Sequence, residues 1–259
     1  SPIIRKVTFT GSTAVGQSLA RLAAEGVKPC TLELGGHAPV LIFDDANLER
    51  TVATCIMGKT RNAGQVCTSP TRFYVQEGIY PRFLKAFSQA MEKVIVGEGM
   101  ANDSQMGPLA NKRRLQAISH LIDEAVDVGA KISAGGKRQG ENGFFFRPTV
   151  LTSTPMNAQV INTEPFGPIA LVDSFVTLEE GLERANNNRF GLAAYAFTQS
   201  SDTAVKVSEG LEAGGIGINS FAVSHIEAPF GGLKDSGYGH EGGSEGLEAF
   251  MHQKYVHHA

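Results

Sequence analysis

Cys67 stands in the run Arg61-Asn62-Ala63-Gly64-Gln65-Val66-Cys67-Thr68, followed by Ser69 and Pro70. A cysteine that fills a core usually sits inside an apolar periodic run, as Cys55 does, whereas Cys67 falls among loop residues between a helical run and a strand-like run. The chemistry open to it there is nucleophilic. A thiolate, rather than the neutral thiol with its ordinary pKa of about 8.5, attacks an electrophile held beside hydrogen-bond donors. Spacing alone leaves nucleophile and packing residue evenly matched. Glu33 interrupts the otherwise apolar run Cys30-Thr31-Leu32-Glu33-Leu34, a costly place for a carboxylate that is neither partnered nor functional. A salt-bridged glutamate at a strand end is the plainer alternative. Glu164 and Phe166 lie in Glu164-Pro165-Phe166-Gly167-Pro168, a rigid turn able to present a carboxylate and a ring together. Gly11, Ser12 and Gly16 mark a turn between a short strand and a helix, where N–H groups of a helix N-terminus can face a phosphate. Taken alone this is more often only a turn, and the full G-x-G-x-x-G pattern is absent. Arg61 offers a guanidinium at a helix end, able to grip a planar carboxylate with two charge-assisted bonds or simply to be solvated.

Strands are expected at residues 6–9, 30–34, 38–43, 71–75, 169–176, 192–198 and 215–219, and helices at 15–25, 48–60, 80–94, 111–128, 178–187 and 202–211. Residues 44–47, Asp-Asp-Ala-Asn, supply caps for the helix that delivers Arg61 and Cys67. Such alternation predicts an α/β fold with right-handed crossovers and a mainly parallel sheet. Residues 97–109, 135–143 and 220–229 read as loops, and 234–243, rich in glycine, as a mobile one. The triplet Phe144-Phe145-Phe146 reads as core at a strand start.

With 259 residues, 42% of them hydrophobic, and 30 glycines, the chain can form one large or two modest domains with many tight turns. A net charge of −3 with both signs interspersed gives no basic stripe for nucleic acid, and apolar runs such as 38–43 are too short to span a bilayer. Cys30, Cys55 and Cys67 form no metal spacing and leave an odd thiol, which points to a reducing, cytoplasmic compartment. A cysteine hydrolase would need a histidine base, and none of the seven histidines sits in a comparable motif. The sequence opens Ser1-Pro2-Ile3 with no methionine or signal-peptide pattern, and its first strand is under way by Val7, so a longer parent chain is expected.

The set Leu32-Glu33-Leu34-Gly35-Gly36, Asn62-Ala63-Gly64-Gln65-Val66-Cys67 and Glu164-Pro165-Phe166-Gly167-Pro168, in that order and at the matching intervals, resembles the signatures of the NAD(P)-dependent aldehyde dehydrogenase superfamily. The resemblance runs from about Val7 to the C-terminus. It implies the end of a Rossmann-type cofactor domain over 1–36, a mainly parallel α/β catalytic domain over 37–239, and a C-terminal segment over 240–259 with an oligomerisation strand near Lys254-Tyr255-Val256-His257. It makes Cys67 the nucleophile and Glu33 the general base that activates water. Gly11, Ser12 and Gly16 fall on the diphosphate side of NAD or NADP, Glu164 on the nicotinamide ribose hydroxyls and Phe166 on the nicotinamide end. The oxyanion hole would join the Cys67 N–H to an asparagine carried N-terminal to these motifs. Phe230 would line the aldehyde tunnel. In the similar succinate-semialdehyde dehydrogenase branch, an arginine matching Arg61 and a serine matching Ser224 hold the substrate's distal carboxylate, which points to a short ω-semialdehyde acid. The resemblance further implies a homo-oligomer, dimer or tetramer, whose N-terminal half lies outside the sequence; residues 1–259 alone would then neither bind NAD(P) tightly nor oxidise aldehydes. His37 and Thr163 depart from common family residues. A catalytically silent scaffold on the same fold is the competing reading, opposed by the intact Cys67, Glu33 and Glu164.

Overall fold

A computed structural model describes residues 1–259. The elements run β1 (Val7–Thr10), α1 (Thr13–Glu25), β2 (Cys30–Glu33), β3 (Ala38–Ile42), α2 (Leu48–Thr60), β4 (Pro70–Gln76), α3 (Tyr80–Lys93), α4 (Lys112–Asp127), β5 (Lys131–Ala134) and β6 (Thr149–Thr152). They continue α5 (Gln159–Asn162), β7 (Ile169–Phe175), α6 (Leu178–Asn186), β8 (Phe190–Gly191), β9 (Ala193–Phe197), α7 (Ser201–Gly210), β10 (Gly215–Ile218), β11 (Leu233–Lys234), β12 (Gly237–Tyr238) and α8 (Gly243–Glu248).

Seven strands form the main sheet in the order β10-β9-β3-β4-β7-β6-β5, parallel throughout except at β5. Side-chain alternation splits its two faces. Val40 and Ile42 of β3, with Phe73 and Val75 of β4, pack under α2 and α3 through Val52, Cys55, Phe83, Phe87 and Met91. Leu41 turns the other way, toward Ala185 of α6 and Val207 of α7, while Leu151, Ile169 and Leu171 meet Leu115, Ile118 and Ile122 of α4. Both faces are covered, which is why β3 is buried at every position and reads as an unbroken apolar run.

A smaller sheet carries the site. β1 and β2 run parallel, and β12 closes on β2 in antiparallel register, Gly237 opposite Glu33 and Tyr238 opposite Leu32. The stretch 234–243, expected to be mobile for its glycines, is instead paired. Leu34 N–H donates to Ser236 O at 2.9 Å and Ser236 Oγ–H to Gly35 O at 2.6 Å. Gly237, at φ 118°, lies so close to β2 that a Cβ would come 1.8 Å from Leu32 O; its glycine serves close approach rather than mobility. Two further departures concern strands. β5 is an exposed edge with Lys131 and Ser133, polar enough to hide its strand character. Residues 254–257 form no strand within this chain, because they have no ladder partner here. Phe146 is buried as expected, though β6 starts later, at Thr149.

Candidate active site

The turn that carries Cys67 is built at the end of α2. Asn47 accepts from Arg50 N–H at 3.0 Å and starts the helix, and Arg61 leaves it at ψ 124°. Asn62, Ala63 and Gly64 then adopt left-handed conformations at φ 50°, 53° and 71°. Two of these carry a Cβ, so the turn stores strain that its surroundings must hold. Asn62 Nδ2–H donates to Gln65 O at 2.9 Å, Gln65 Nε2–H donates to Asn62 O at 3.0 Å, and Ala110 N–H donates to Gln65 Oε1 at 2.8 Å. Beyond Cys67, Tyr195 O–H donates to Thr68 O at 2.7 Å.

Three loops meet at this turn with no room to spare. A Cβ on Gly64 would lie 2.1 Å from Gly167 O, and one on Gly36 would lie 2.1 Å from Cys67 O. Gly36 N–H donates to Glu164 Oε1 at 2.9 Å, and a Cβ on Gly35 would lie 2.8 Å from Glu164 Oε2. The Cys67 turn, the Gly35-Gly36 corner after β2 and the Glu164–Gly167 turn are therefore mutually registered through backbone.

The three loops and the β1–α1 turn surround a cavity of about 500 Å³ lined by Gly11, Ser12, Glu33, Cys67, Glu164 and Phe166, together with Gln65 and Arg114. Six residues singled out from the sequence thus share one space. Glu33 is 2% exposed, and neither carboxylate oxygen has a hydrogen-bond partner. Burial, with Glu241 adding like charge, raises its pKa to about 8. The partnered-glutamate alternative fails: the carboxyl is buried without a donor, and burial favours its protonated form. Burial pushes the Cys67 thiol up as well, helped by the Glu164 and Glu33 carboxylates and opposed by the N–H groups of Thr68 and of Cys67 itself.

Glu164 is raised by burial and lowered by the Gly36 N–H, Arg114 and Lys59. Phe166 sits at φ 44°, with the Arg114 guanidinium 5.6 Å from its ring centre and donating to Pro165 O at 3.1 Å. Ser12 caps α1 without a side-chain hydrogen bond, so the first-turn N–H groups remain free for an anion. These features fit one end of a dinucleotide: anion donors at Ser12, and a carboxylate and an aromatic ring across the cavity.

Other singled-out residues lie elsewhere. Gly16 does not line the cavity; a Cβ there would lie 2.3 Å from Leu34 Cδ2, so it lets α1 pack on the end of β2. Arg61 is exposed at the end of α2, close enough to lower the Tyr195 phenol, which burial pushes up. Ser224 is exposed, and Phe230 is half-buried, exchanging two backbone hydrogen bonds of 2.7 Å with Glu241. Sequence reading missed Arg114, Glu241, Tyr195 and Lys59, whose placement comes from distant elements and leaves no local motif. The three cysteines are free, and no group of three His, Cys, Asp or Glu side chains could hold a metal ion.

Comparison with known proteins agrees with this geometry. The profile of the aldehyde dehydrogenase family matches residues 1–256. The chain is 49% identical over 258 residues to a putative 4-(hydroxymethyl)benzenesulfonate dehydrogenase of Comamonas testosteroni, covering 100% of this chain and 54% of that protein. It is 41% identical over 256 residues to an NADP-dependent succinate-semialdehyde dehydrogenase of Escherichia coli, covering 99% and 53%. A betaine aldehyde dehydrogenase from Staphylococcus aureus, solved in complex with NAD+, superposes with a TM-score of 0.92 at 37% identity, over 95% of this chain and 50% of that one. The chain spans about half the length of the curated relatives it matches.

Proposed function

We propose, from the premise that this chain belongs to the aldehyde dehydrogenase family, that it carries the nucleophile, base and part of the cofactor site of an enzyme oxidising an aldehyde to a carboxylate. The observation that carries this reading is the shared cavity of Cys67, Glu33, Glu164 and Phe166. Cys67 Sγ, as thiolate, bonds to the aldehyde carbon and forms a thiohemiacetal whose oxyanion faces the Cys67 N–H. NAD or NADP, when bound, supplies the acceptor for the hydride leaving that carbon. Gly11 and Ser12 would hold its phosphates, Glu164 its ribose hydroxyls and Phe166 its ring end. The acyl group then remains on Cys67 as a thioester. Glu33 takes a proton from water, the hydroxide adds to the thioester carbon, and the carbon–sulfur bond breaks to release the acid and the Cys67 thiolate, with the proton on Glu33 passing to solvent before the next turnover. Positioned base catalysis of this kind contributes about 10²- to 10⁴-fold. Residues 1–36 belong in this reading to the cofactor domain, 37–239 to the catalytic domain, and 240–259 to a segment joining subunits of a cytoplasmic homo-oligomer.

For the substrate we propose an aldehyde with a distal anion, a short ω-semialdehyde acid such as succinate semialdehyde. Arg61 supports this: its guanidinium is exposed, makes no ion pair and lies on the Tyr195–Thr68 side of Cys67. Ser224 would add a hydroxyl and Phe230 an apolar wall. A sulfonated aldehyde is the second reading: the 49% identical relative is named for the alcohol 4-(hydroxymethyl)benzenesulfonate, whose two-electron oxidation gives a sulfonated benzaldehyde. The test uses the full-length enzyme. Cys67→Ala is expected to abolish aldehyde-dependent reduction of NAD(P). Arg61→Ala should lower kcat/KM for the preferred anionic aldehyde by roughly 10- to 150-fold while sparing neutral aldehydes. Succinate semialdehyde and a sulfonated benzaldehyde, run side by side, decide between the anions. A wild type that reduces no cofactor with any aldehyde would favour the silent scaffold instead.

A further inference from the structure

The main sheet has a crevice that the chemistry above leaves unused. β3 leads through α2 to β4 on one side, and its other neighbour, β9, leads through α7 to β10 on the opposite side. α2 packs on one face of the sheet and α7 on the other. The chain thus diverges between the carboxyl ends of β3 and β9, and in open α/β sheets such a divergence opens a ligand crevice. Cys67 stands at the opposite edge, just before β4 begins. A separate cavity of about 160 Å³ lies in the crevice, lined by Asn47, Arg50 and Thr51 at the start of α2, Thr198 and Gln199 after β9, and Asn219 after β10.

Its polar lining divides into groups already engaged and groups to spare. Asn219 Oδ1 accepts from Thr198 N–H at 3.1 Å and its Nδ2–H donates to Thr198 O at 2.9 Å, while Thr198 Oγ1–H and Gln199 N–H both donate to Asp45 at 2.9 Å. The Asp45 carboxylate does not line the cavity, and Glu49 lines the apolar groove between α2 and α3 instead. Three donors remain. Arg50 is exposed and pairs with no carboxylate. Asn47 spends only its Oδ1, on Arg50 N–H, which leaves its Nδ2–H groups free. Thr51 is 3% exposed, yet its hydroxyl reaches no carbonyl, whereas Thr54 and Thr60 of the same helix donate back to Arg50 O and Ile56 O. A hydroxyl buried against a cavity without a partner in the chain calls for one from outside it. The surplus consists of donors alone, at the positive end of a 13-residue helix, so the complementary ligand is an anion. The cavity has the space of about five waters, enough for a phosphate group on a short stem and too little for a nucleotide.

We propose that this crevice is a second ligand site, in which Arg50, Thr51 and Asn47 hold a phosphate-sized oxyanion at the N-terminus of α2. Free phosphate and the phosphate group of a small ester share the chemistry it recognises.

Calorimetric titration of the full-length enzyme with inorganic phosphate and with glycerol 3-phosphate, at an ionic strength held constant with chloride, tests this. Saturable binding of at least one probe is expected: phosphate alone marks the free ion as the ligand, and the ester alone marks a site that also reads the organic stem. Arg50→Gln should weaken that binding by about tenfold or more and Thr51→Val by about threefold or more. Arg82→Gln, which removes the same charge from α3, should leave it within about twofold. Arg50 is exposed and Thr51→Val keeps the buried shape, so neither substitution threatens the fold. Phosphate that settled instead beside Ser12 at the start of α1 would survive both. Binding of neither probe, binding that either Arg50→Gln or Thr51→Val leaves intact, or an equal loss in Arg82→Gln would overturn the proposal.

Discussion

Glu33, the base of the proposed reaction, also has a consequence for stability. Its carboxyl is buried without a donor, and its folded pKa of about 8 stands above the 4.5 of a freely solvated glutamate. The folded state therefore holds this proton more tightly than the unfolded chain does. Stability falls as pH rises through the window from about 4.5 to about 8, with a slope of up to about 1.4 kcal/mol for each step of one in pH, and the penalty is complete above it. Glu33→Gln removes the titration. Its thermal midpoint should exceed that of wild type by a margin that grows across this window and levels off above about pH 8. The same variant should give one burst of reduced cofactor and then stall, since acylation survives and deacylation does not. A midpoint difference that stays flat with pH would mean that Glu33 finds a partner in solution. The sequence revealed Glu33 because a lone carboxylate in an apolar strand is conspicuous. Lys59 gave no such sign: it sits in an ordinary helix, and its burial depends on β7, more than a hundred residues away.

At the scale of elements, periodicity was a good guide wherever both sheet faces are covered. α2 occupies the expected 48–60, and the β7 to β10 alternation follows the pattern closely, because β7 and β9 bury both of their faces and α6 and α7 each bury one. What was lost lies where geometry depends on a distant partner. β12 exists only because β2 accepts it, and glycines that read as freedom are in fact the sites of closest approach. The Cys67 turn can be tested at such a glycine. Gly64 combines φ 71° with a Cβ position 2.1 Å from Gly167 O, so Gly64→Ala must strain the turn and separate two loops of the site. The expected loss is about 2–4 kcal/mol of stability, with a larger proportional loss of activity. Gly99→Ala, where a Cβ meets nothing within 4 Å, is the control and should stay within about 0.5 kcal/mol. Equal effects of the two substitutions would show that the contact yields and that the three loops are not rigidly registered.

The whole molecule presents its apolar surface unevenly. Val15 and Leu22 of α1, Val27 after it, and Phe250, Tyr255 and Val256 near the C-terminus are all exposed, although the cores of the main sheet are closed. β1 is the outer strand of the small sheet, and Val7-Thr8-Phe9-Thr10 carries no charge or proline to deter a further strand. The β5 edge differs, since Lys131 guards it. A polypeptide restricted to residues 1–259 is therefore expected to self-associate, with β1 as the template and the α1 face as the apolar surface that is covered. Light scattering after size exclusion at about 50 µM reports this directly, within the range where open edges aggregate. Thr8→Lys places a charge at an exposed position of β1 without touching either core, and should shift the population toward monomer. Leu22→Glu does the same for the α1 face. If the unmodified polypeptide ran as a monodisperse monomer, or if neither substitution changed its size, the exposed edge and helix face would not be what limits its solubility. Because β2 pairs with β1 on one side and β12 on the other, capture of β1 by a second chain would also pull on the strand that ends in Glu33. Association and loss of order at the site should then appear together, as a faster alkylation of Cys67 in the associated fraction than in the Thr8→Lys monomer.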